Sequence, residues 1–211
     1  MKYKLTDETK VFVRVTLYRI KALKNFSDVI EGEKGGWIEK ENNLSQEGDA
    51  WVYGDAEVYG DAEVYGNARV YGNARVLGNS MVLGNARVLG NARVYGNSMV
   101  LGNARVLGNA RVYGDAEVYG DAEVYGDARV LGNSMVYGNA WESSPLQIQG
   151  TKNFVNMATK KILRIGCIEK TLQEWTKEYK IIGKKNGYSP EQIKEYGMYI
   201  DLAIKLMEDK K

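Results

Sequence analysis

The stretch VYGDAEVYGDAEVYGNARVYGNARVLGNSMVLGNARV, from Val52 to Val88, repeats a six-residue unit almost without change. Val, Gly and Ala or Ser return at fixed positions, whereas the residue after Ala or Ser changes from acid to base to thioether. We call this changing position the variable slot. Such a repeat indicates a regular fold in which the varied position is the informative one. Within the stretch the slot holds Glu57, Glu63, Arg69, Arg75, Met81 and Arg87.

The unit predicts short β-strands separated by sharp corners. Side chains alternate between the two faces of a strand, so an inward Val places the Ala two residues before it inward and the variable slot outward. The opposite choice would bury unpaired Arg side chains at a large cost in free energy. Gly followed by Asn or Asp tolerates left-handed backbone angles and suits a corner. Strands with a corner after each unit are typical of a parallel β-helix.

The spacing of Met and Trp indicates how many units complete one coil. Met81, Met99 and Met135 are separated by multiples of 18 residues, and so are Trp51 and Trp141. A triangular coil of that length would place the three Met side chains on one face. It would place the two Trp side chains on another face, at opposite ends. We therefore predict that three hexads form each coil.

The Val-x-x-x-Ala/Ser-x pattern resembles the hexapeptide-repeat family, which folds as a left-handed parallel β-helix. This resemblance implies a mainly β protein with about five triangular coils. The whole chain also resembles uncharacterised proteins carried by phages and prophages. In those proteins Gly-Gly-Trp-Ile-Glu-Lys, here residues 35–40, precedes a similar repeat. Leu-Arg-Ile-Gly-Cys, here residues 163–167, is followed in them by two helices.

The flanking segments predict two further domains. Residues 1–47 form an expected N-terminal β cap, the repeat occupies residues 48–141, and residues 142–211 form a small C-terminal α-helical (α+β) domain. The run from Val11 to Tyr18 is β-branched and aromatic, which predicts a strand. Gly35-Gly36 predicts a turn, and Ser143-Ser144-Pro145 marks the end of the repeat.

Two helices are predicted near the C-terminus, after an extended stretch at Lys161–Ile165. Thr171 with Glu174 three residues later forms the pattern of a capping box at the start of the first helix. Ser189 and Pro190 give the second helix an N-cap and a favourable first position. Apolar residues then recur at helical spacing in both segments, which predicts a small α-containing cap or an assembly domain.

Composition limits the chemistry that we expect. The 211 residues carry a net charge of +2, contain no His and include Cys167 as the single cysteine. The resemblance implies His as the general base of hexapeptide acyltransferases and as the zinc ligand of γ-class carbonic anhydrases, and neither is possible without His. We therefore expect no enzymatic activity, no metal and no cofactor. The sequence shows neither a secretory segment nor the roughly 18–20 apolar residues of a membrane span, which favours the cytoplasm.

Stacking the chain at 18 residues sorts the variable slots into three columns. The first face reads Trp51, Arg69, Arg87, Arg105, Glu123 and Trp141. The second face reads Glu57, Arg75, Arg93, Arg111 and Arg129. The third face reads Glu63, Met81, Met99, Glu117 and Met135. Guanidinium groups about 5 Å apart repel by about 1 kcal/mol in water, so columns of Arg do not arise for stability.

Two sets of residues are therefore candidates for function. Arg forks match phosphate and Tyr rings stack on bases, which predicts an anion-binding site. Its candidate residues are Arg69, Arg75, Arg87, Arg93, Arg105, Arg111, Tyr71, Tyr95 and Tyr113. The apolar third face predicts a contact between subunits. The contact residues are Met81, Met99, Met135, Leu83 and Leu101, and the resemblance to the hexapeptide family favours a trimer.

Three interpretations of the slot remain open at this point. They are a solvated surface copied by duplication of one hexad, self-association, and the binding of an anion. The leading hypothesis is a binding protein of phage type that holds a nucleotide-like partner on the Arg–Tyr faces or in a groove between subunits. The phage resemblance extends it to the sequestration of a host immune nucleotide signal in the host cytoplasm. The alternatives are a rigid oligomeric spacer of a virion and, disfavoured by the lack of His, an acyltransferase.

Overall fold

A computed structural model describes residues 1–12 and 14–208 of the chain. The N-terminal segment begins with an antiparallel hairpin of β1 (Tyr3–Phe12) and β2 (Val15–Ala22). The next strand, β3 (Lys34–Ile38), pairs with β2 in antiparallel orientation. The single strand predicted from Val11 to Tyr18 is thus divided between the two strands of the hairpin, and Val13 lies outside the described residues.

The repeat folds into short strands joined by corners. The strands are β4 (Trp51–Val52), β5 (Glu57–Val58), β6 (Glu63–Val64), β7 (Arg69–Val70), β8 (Arg75–Val76), β9 (Met81–Val82), β10 (Arg87–Val88), β11 (Arg93–Gly96), β12 (Met99–Val100), β13 (Arg105–Val106), β14 (Arg111–Gly114), β15 (Glu117–Tyr119), β16 (Glu123–Val124), β17 (Arg129–Val130), β18 (Met135–Tyr137) and β19 (Ala140–Trp141). Parallel pairing places Arg93 beside Arg111 and Met81 beside Met99. The predicted coil of three hexads is therefore confirmed.

Three parallel sheets form the sides of the solenoid. The first face has the strand order β19-β16-β13-β10-β7-β4, and the third has the order β18-β15-β12-β9-β6. The second face has the order β3-β5-β8-β11-β14-β17 and is continued by β2 and β1. Because β3 pairs in parallel with β5 and adds a strand before the repeat, the solenoid makes about six turns rather than the five predicted.

The interior of the solenoid is filled by the side chains of Val and of Ala or Ser. Val88 and Ala86 are fully buried, as are their equivalents in neighbouring coils. In the hexads that contain Met, Ser replaces Ala. Ser80 Oγ donates to the carbonyl oxygens of Leu77 at 2.9 Å and of Val94 at 3.3 Å, so its buried hydroxyl is satisfied. The inward Val and outward slot follow the register that the charge argument predicted.

Each corner requires a backbone conformation that glycine adopts most readily. Gly96 has a φ of +80°, and a Cβ added to it would lie 2.9 Å from the carbonyl oxygen of Gly114 in the next coil. The Asn side chains that follow the glycines form hydrogen-bonded ladders between coils. Asn67 Nδ2 donates to Asn85 Oδ1 at 3.1 Å, and Asn85 Nδ2 donates to Asn103 Oδ1 at 3.0 Å. These ladders tie the corners of successive coils together.

The corner ladders end on Asp at their C-terminal ends. Every amide donates to the next coil towards the C-terminus, so the last side chain of a ladder only needs to accept. A carboxylate is such a group. The ladders accordingly end in the pairs Asn97–Asp115, Asn103–Asp121 and Asn109–Asp127, at 2.8, 2.9 and 3.1 Å. Hydrogen bonding thus explains part of the acidic segment that follows the basic middle of the repeat.

The hairpin and the loop after it cover the N-terminal end of the solenoid. Trp51 occupies an outward slot but is fully buried, because the rings of Tyr3 and Phe26 pack edge-on at centroid distances of 6.0 and 5.3 Å. Gly35 and Gly36 are residues of β3 rather than the predicted turn. A Cβ on Gly35 would lie 2.6 Å from the Trp51 ring, so close packing requires glycine there.

A buried lysine lies at the same end. Lys2 is 1% exposed, and its Nζ donates to the carbonyl oxygens of Ala50 at 2.7 Å, Gly48 at 3.3 Å and Glu47 at 3.4 Å. Burial lowers the pKa of Lys2 to about 8. The ammonium group therefore satisfies carbonyl groups of the first coil at a cost in desolvation.

A shift of one residue in register closes the C-terminal end. Ala140, rather than Trp141, pairs with Glu123, so Trp141 lies beside Val124 in an inward position. A shift of one residue moves a side chain to the opposite face of a strand. Trp141 is buried as a result, and its predicted place on the outside of the first face is wrong.

The C-terminal unit consists of an antiparallel sheet and two helices. Its elements are β20 (Gln147–Gln149), β21 (Phe154–Met157), β22 (Ile162–Ile165), β23 (Ile168–Thr171), α1 (Leu172–Lys185) and α2 (Pro190–Glu208). Thr171 and Glu174 form the predicted capping box. Trp175 Nε1 donates to the carbonyl oxygen of Leu163 at 2.7 Å and attaches α1 to the sheet. Neither described helix is long and apolar enough to cross a bilayer.

Candidate functional site

The six Arg residues predicted to bind an anion divide into two groups. In the first group the side chain forms an ion pair within the chain, and its members are Arg69, Arg75 and Arg105. In the second group the side chain has no ion pair or hydrogen bond with any of the described residues, and its members are Arg87, Arg93 and Arg111. The second group therefore retains its capacity to bind a ligand.

Arg75 is held by a buried carboxylate at the N-terminal end of the second face. Glu57 is 6% exposed and lies 2.9 Å from Arg75 Nε and 2.8 Å from Lys10 Nζ. The contact with Arg75 is an ion pair rather than a well-directed hydrogen bond, because Glu57 Oε2 has no aligned donor. The guanidinium group also lies 4.5 Å from the centre of the Phe12 ring. Arg75 thus joins the hairpin to the solenoid.

Arg69 is held in a similar way on the first face. Its Nη1 lies 2.9 Å from Asp28 Oδ2, and its Nη2 donates to Ser27 Oγ at 2.6 Å. It also donates to the hydroxyl of Tyr71 at 3.2 Å, and this contact raises the pKa of Arg69. The Tyr71 ring stacks on Tyr53 at 4.4 Å, and Tyr53 donates to Asp28 at 2.8 Å. Arg69 and Tyr71 therefore bind the N-terminal loop.

The rest of the first face offers a single unpaired guanidinium group in the described structure. Arg105 Nη1 lies 3.0 Å from Glu123 Oε1, the carboxylate of the next coil. Arg87 lies between Arg69 and Arg105 in the same sheet and is exposed. The first face thus provides one guanidinium group between two that already have acidic partners.

The second face holds a longer unpaired column. Arg93, Arg111 and Arg129 lie in register on β11, β14 and β17, and no side chain of the described residues forms an ion pair with them. Tyr95 and Tyr113 stand beside the first two, with parallel rings 4.9 Å apart. We call these five residues the Arg–Tyr surface. The spacing of 18 residues placed Arg129 in this column, but the predicted site did not include it.

The Arg–Tyr surface differs from an ordinary charged surface because like charges are held next to each other. Neighbouring strands are about 4.8 Å apart, and two guanidinium groups at that distance repel by about 1 kcal/mol in water. An anion placed between them would replace the repulsion with charge-assisted hydrogen bonds. The surface therefore has the chemistry of a site for phosphate or another oxyanion.

The third face carries the side chains predicted to form a subunit contact. Met81, Met99 and Met135 are each half-buried, and so are Leu83 and Leu101. Further along this face Tyr119 stacks on Tyr137 at 4.9 Å, and Tyr137 donates to Glu169 of the C-terminal sheet at 2.7 Å. The C-terminal unit thus contacts one end of the face, and the trimer stays a prediction.

The described residues contain no group of three or more carboxylate, thiol or imidazole side chains placed to share a metal ion. Cys167 is exposed in the turn between β22 and β23. The buried carboxylate of Glu57 contacts two cationic side chains of the chain itself. Among the described Arg residues of the repeat, the unpaired guanidinium groups are therefore concentrated in the column of the second face.

The repeat is similar to a repeat found in known proteins. The family model described as the YdcK Beta solenoid repeat matches residues 62–78 and 68–84. The uncharacterized acetyltransferase YdcK of Escherichia coli (strain K12) is 42% identical over 60 residues, which are 25% of this chain and 18% of that protein. The chain thus spans less than a fifth of the length of this relative. The prediction of a hexapeptide-type solenoid is confirmed.

This comparison contradicts the expectation that the protein is not an enzyme. That expectation depended on the absence of His, and it treated His as the only base that a solenoid of this type uses. A protein named as an acetyltransferase shares the repeat. The absence of His therefore does not exclude an enzymatic role, and the chain carries a β-solenoid repeat similar to that of YdcK.

Proposed function

We propose that the Arg–Tyr surface binds a phosphate-bearing ligand. One observation carries this proposal: Arg93, Arg111 and Arg129 lie in register without an ion-pairing partner among the described residues. A phosphate group has oxygens on several sides and accepts forked hydrogen bonds from more than one guanidinium group. Binding would remove the repulsion that the free protein contains, which gives the anion a larger benefit than a single Arg would give.

The Tyr pair favours a nucleotide among phosphate-bearing ligands. Tyr95 and Tyr113 are half-buried and stand two residues after Arg93 and Arg111 on the same strands. Aromatic faces contribute about 1–3 kcal/mol for each stacked base. A ligand with a base and a phosphate chain would use both halves of the surface. The resemblance to phage proteins extends this proposal to a nucleotide signal of the host.

The proposal is tested by replacing two adjacent Arg residues. We expect Arg93→Gln with Arg111→Gln to weaken the binding of ATP by at least about tenfold, as measured by calorimetry at low salt. Inorganic pyrophosphate as a second ligand separates the contribution of the base from that of the phosphates. Arg87→Gln is the control, because Arg87 is exposed and unpaired like Arg93 but lies on the first face. Equal affinity of both variants, or no binding by the wild type, would overturn the proposal.

Transfer of an acetyl group is a second candidate, which the similarity to a named acetyltransferase favours. An acetyl donor such as acetyl-coenzyme A carries phosphates that the Arg–Tyr surface would hold. The acetyl group would pass from the thioester to an amine or hydroxyl, and the thiol of coenzyme A would be released. Thiol release in the presence of polyamines, amino acids and sugars measures this reaction. A rate equal to that without protein, for all acceptors, would remove this candidate and leave nucleotide binding untouched.

A further inference from the structure

A cleft of about 930 Å³ lies between the last coil of the solenoid and the two helices. Its volume is in the range typical of sites for small molecules, and junctions between structural units are a frequent position for them. The cleft is separate from the Arg–Tyr surface, since none of the residues of that surface lines it. We call it the helix–solenoid cleft.

The middle of the helix–solenoid cleft is apolar. Trp141 and Tyr125 line it on the solenoid side, and Leu172, Ile204 and Met207 line it on the helix side. Trp141 reaches this position because the register shift in β19 moves it off the outer surface of the first face. An apolar lining of this kind binds hydrocarbon or aromatic groups through loss of water-exposed surface.

One end of the helix–solenoid cleft is basic. The amide nitrogen of Lys160 donates to Asn139 Oδ1 at 2.9 Å, which places Lys160 at the corner before β19. Lys161 is next in the chain and precedes Ile162, which pairs with Thr171 at the start of α1. The positive end of the α1 dipole therefore lies beside the two lysines. Neither lysine side chain has an ion-pairing partner among the described residues.

The other end of the helix–solenoid cleft is acidic. Glu142 follows β19 and lies over the next corner, since a Cβ on Gly126 would be 3.2 Å from the Glu142 carbonyl oxygen. The end of α2 approaches this side, because Met207 and Pro145 line the same neighbouring cavity. Glu208 therefore adds its carboxylate to the negative end of the α2 dipole. No described basic side chain forms an ion pair with Glu142 or Glu208.

We propose that the helix–solenoid cleft binds a zwitterion with an apolar middle, of the class of short apolar peptides with free ends. The peptide carboxylate faces Lys160 and Lys161, and the peptide ammonium group faces Glu142 and Glu208. The apolar side chains lie between Tyr125 on the solenoid side and Leu172, Ile204 and Met207 on the helix side. A simple anion or cation would meet a repulsive group at one end, so the separation of charge selects for a ligand that carries both signs.

Calorimetry with the tripeptide Leu-Leu-Leu tests this inference on the whole protein. We expect the tripeptide to bind, and we expect N-terminal acetylation and C-terminal amidation each to weaken binding by about tenfold, which equals about 1.4 kcal/mol. Lack of binding by the free tripeptide at millimolar concentration, or equal binding of all three compounds, would overturn the inference.

Charge-reversal variants test whether the tripeptide binds in the helix–solenoid cleft. Lys160→Glu with Lys161→Glu should weaken binding of the free tripeptide and remove the advantage of the free carboxylate over the amide. The matched control is Lys184→Glu with Lys185→Glu, which makes the same change of charge at the far end of α1. Circular dichroism and thermal melts verify that both variants fold. If the two double variants bind equally, the site lies elsewhere and the inference is wrong.

Discussion

Arg75 and Arg93 occupy the same position of the same repeat, on adjacent strands of the same sheet, yet their surroundings differ completely. Arg75 contacts the buried carboxylate of Glu57 and the ring of Phe12. Arg93 contacts no acid of the described residues and has another Arg beside it on each side. The Arg residues at the N-terminal end of the repeat thus contact the hairpin and the loop after it, whereas those further along the second face remain available to bind a ligand.

This difference shows that the hexad alone does not decide what an Arg in the variable slot does, because the slot one coil away and the N-terminal segment also contribute. The N-terminal hairpin and loop supply the Phe12 ring beside Arg75 and the Asp28 carboxylate beside Arg69, whereas Glu57 comes from the variable slot one coil before Arg75. Lys2, Glu57, Arg69 and Arg75 all belong to the covered end. Four predictions test this difference between the two ends of the repeat, and the one with the largest effect comes first.

The largest effect is expected from removing the carboxylate at the covered end. Glu57→Gln leaves Lys10 and Arg75 facing each other without an anion between them. We expect the free energy of unfolding to fall by about 3 kcal/mol. This value is at the low end of the range for breaking a buried ion pair, because both cations are about a third exposed. Urea unfolding measures this change. Glu63→Gln, at an exposed slot, is the control and should change stability by less than about 0.5 kcal/mol.

The buried lysine of the covered end gives a dependence on pH. Its pKa is lowered from 10.5 to about 8, so between these values the folded state has lost a proton that the unfolded state still binds. Stability therefore rises with pH in this window, by about 2 kcal/mol from pH 8 to pH 10. Lys2→Met should remove this rise. Parallel pH profiles of the wild type and the variant that coincide in slope would show that Lys2 does not titrate as stated.

The contrast between Arg75 and Arg93 predicts effects of opposite sign. Arg75→Gln should destabilise the protein by about 1 kcal/mol, because it leaves the buried Glu57 with one partner fewer. Arg93→Gln should stabilise the ligand-free protein by up to about 1 kcal/mol at low salt, because it removes repulsion within the column. The gain should disappear in 1 M salt. Melting temperatures of both variants at low salt and in 1 M salt measure these effects. If both changes lower the melting temperature at low salt, the prediction of opposite signs is wrong.

The smallest effect concerns the corner ladders. Asn85 accepts from Asn67 and donates to Asn103, so Asn85→Asp removes a donor and places a carboxylate against an amide oxygen. We expect a loss of about 0.5 kcal/mol, because the ladder is exposed to water. Asp121→Asn at the end of the same ladder keeps an acceptor and should be neutral. Equal effects of the two changes in urea unfolding would argue against a directional ladder.

The coil and its columns could be predicted because they depend on periodicity alone. Alternation in a strand and the exclusion of unpaired charge from the core fixed Val and Arg on opposite sides. The spacing of Met81 and Met99 fixed the length of the coil. The capping pattern of Thr171 with Glu174 was equally local and equally predictable. In each case the residues concerned are neighbours in sequence or lie one coil apart, so no other part of the chain is needed to relate them.

The partner of Arg69 could not be predicted, since it lies outside the period, whereas Glu57 beside Arg75 and Glu123 beside Arg105 are each one coil away in the same column. Asp28 lies 41 residues before Arg69, and no spacing connects the two. The register shift at Trp141 arises after Gly138, in a corner whose composition matches that of the other Gly-Asn corners. The doubled glycine at residues 35–36 has the composition of a turn, but Gly35 packs against Trp51 and Gly36 packs against Val52 and the carbonyl oxygen of Ala56. Tertiary packing decided each case.

The three-hexad coil gives the repeat a reading frame. Insertion or loss of a single hexad keeps the Val core and the glycine corners intact, so the chain still winds, but every later slot moves to the neighbouring side. Arg, Met and acidic side chains would then be mixed within each column. Only changes of whole coils keep the Arg93–Arg111 column aligned. The fold therefore tolerates duplication in units of six residues, whereas the binding surface stays intact only when the chain changes in units of eighteen.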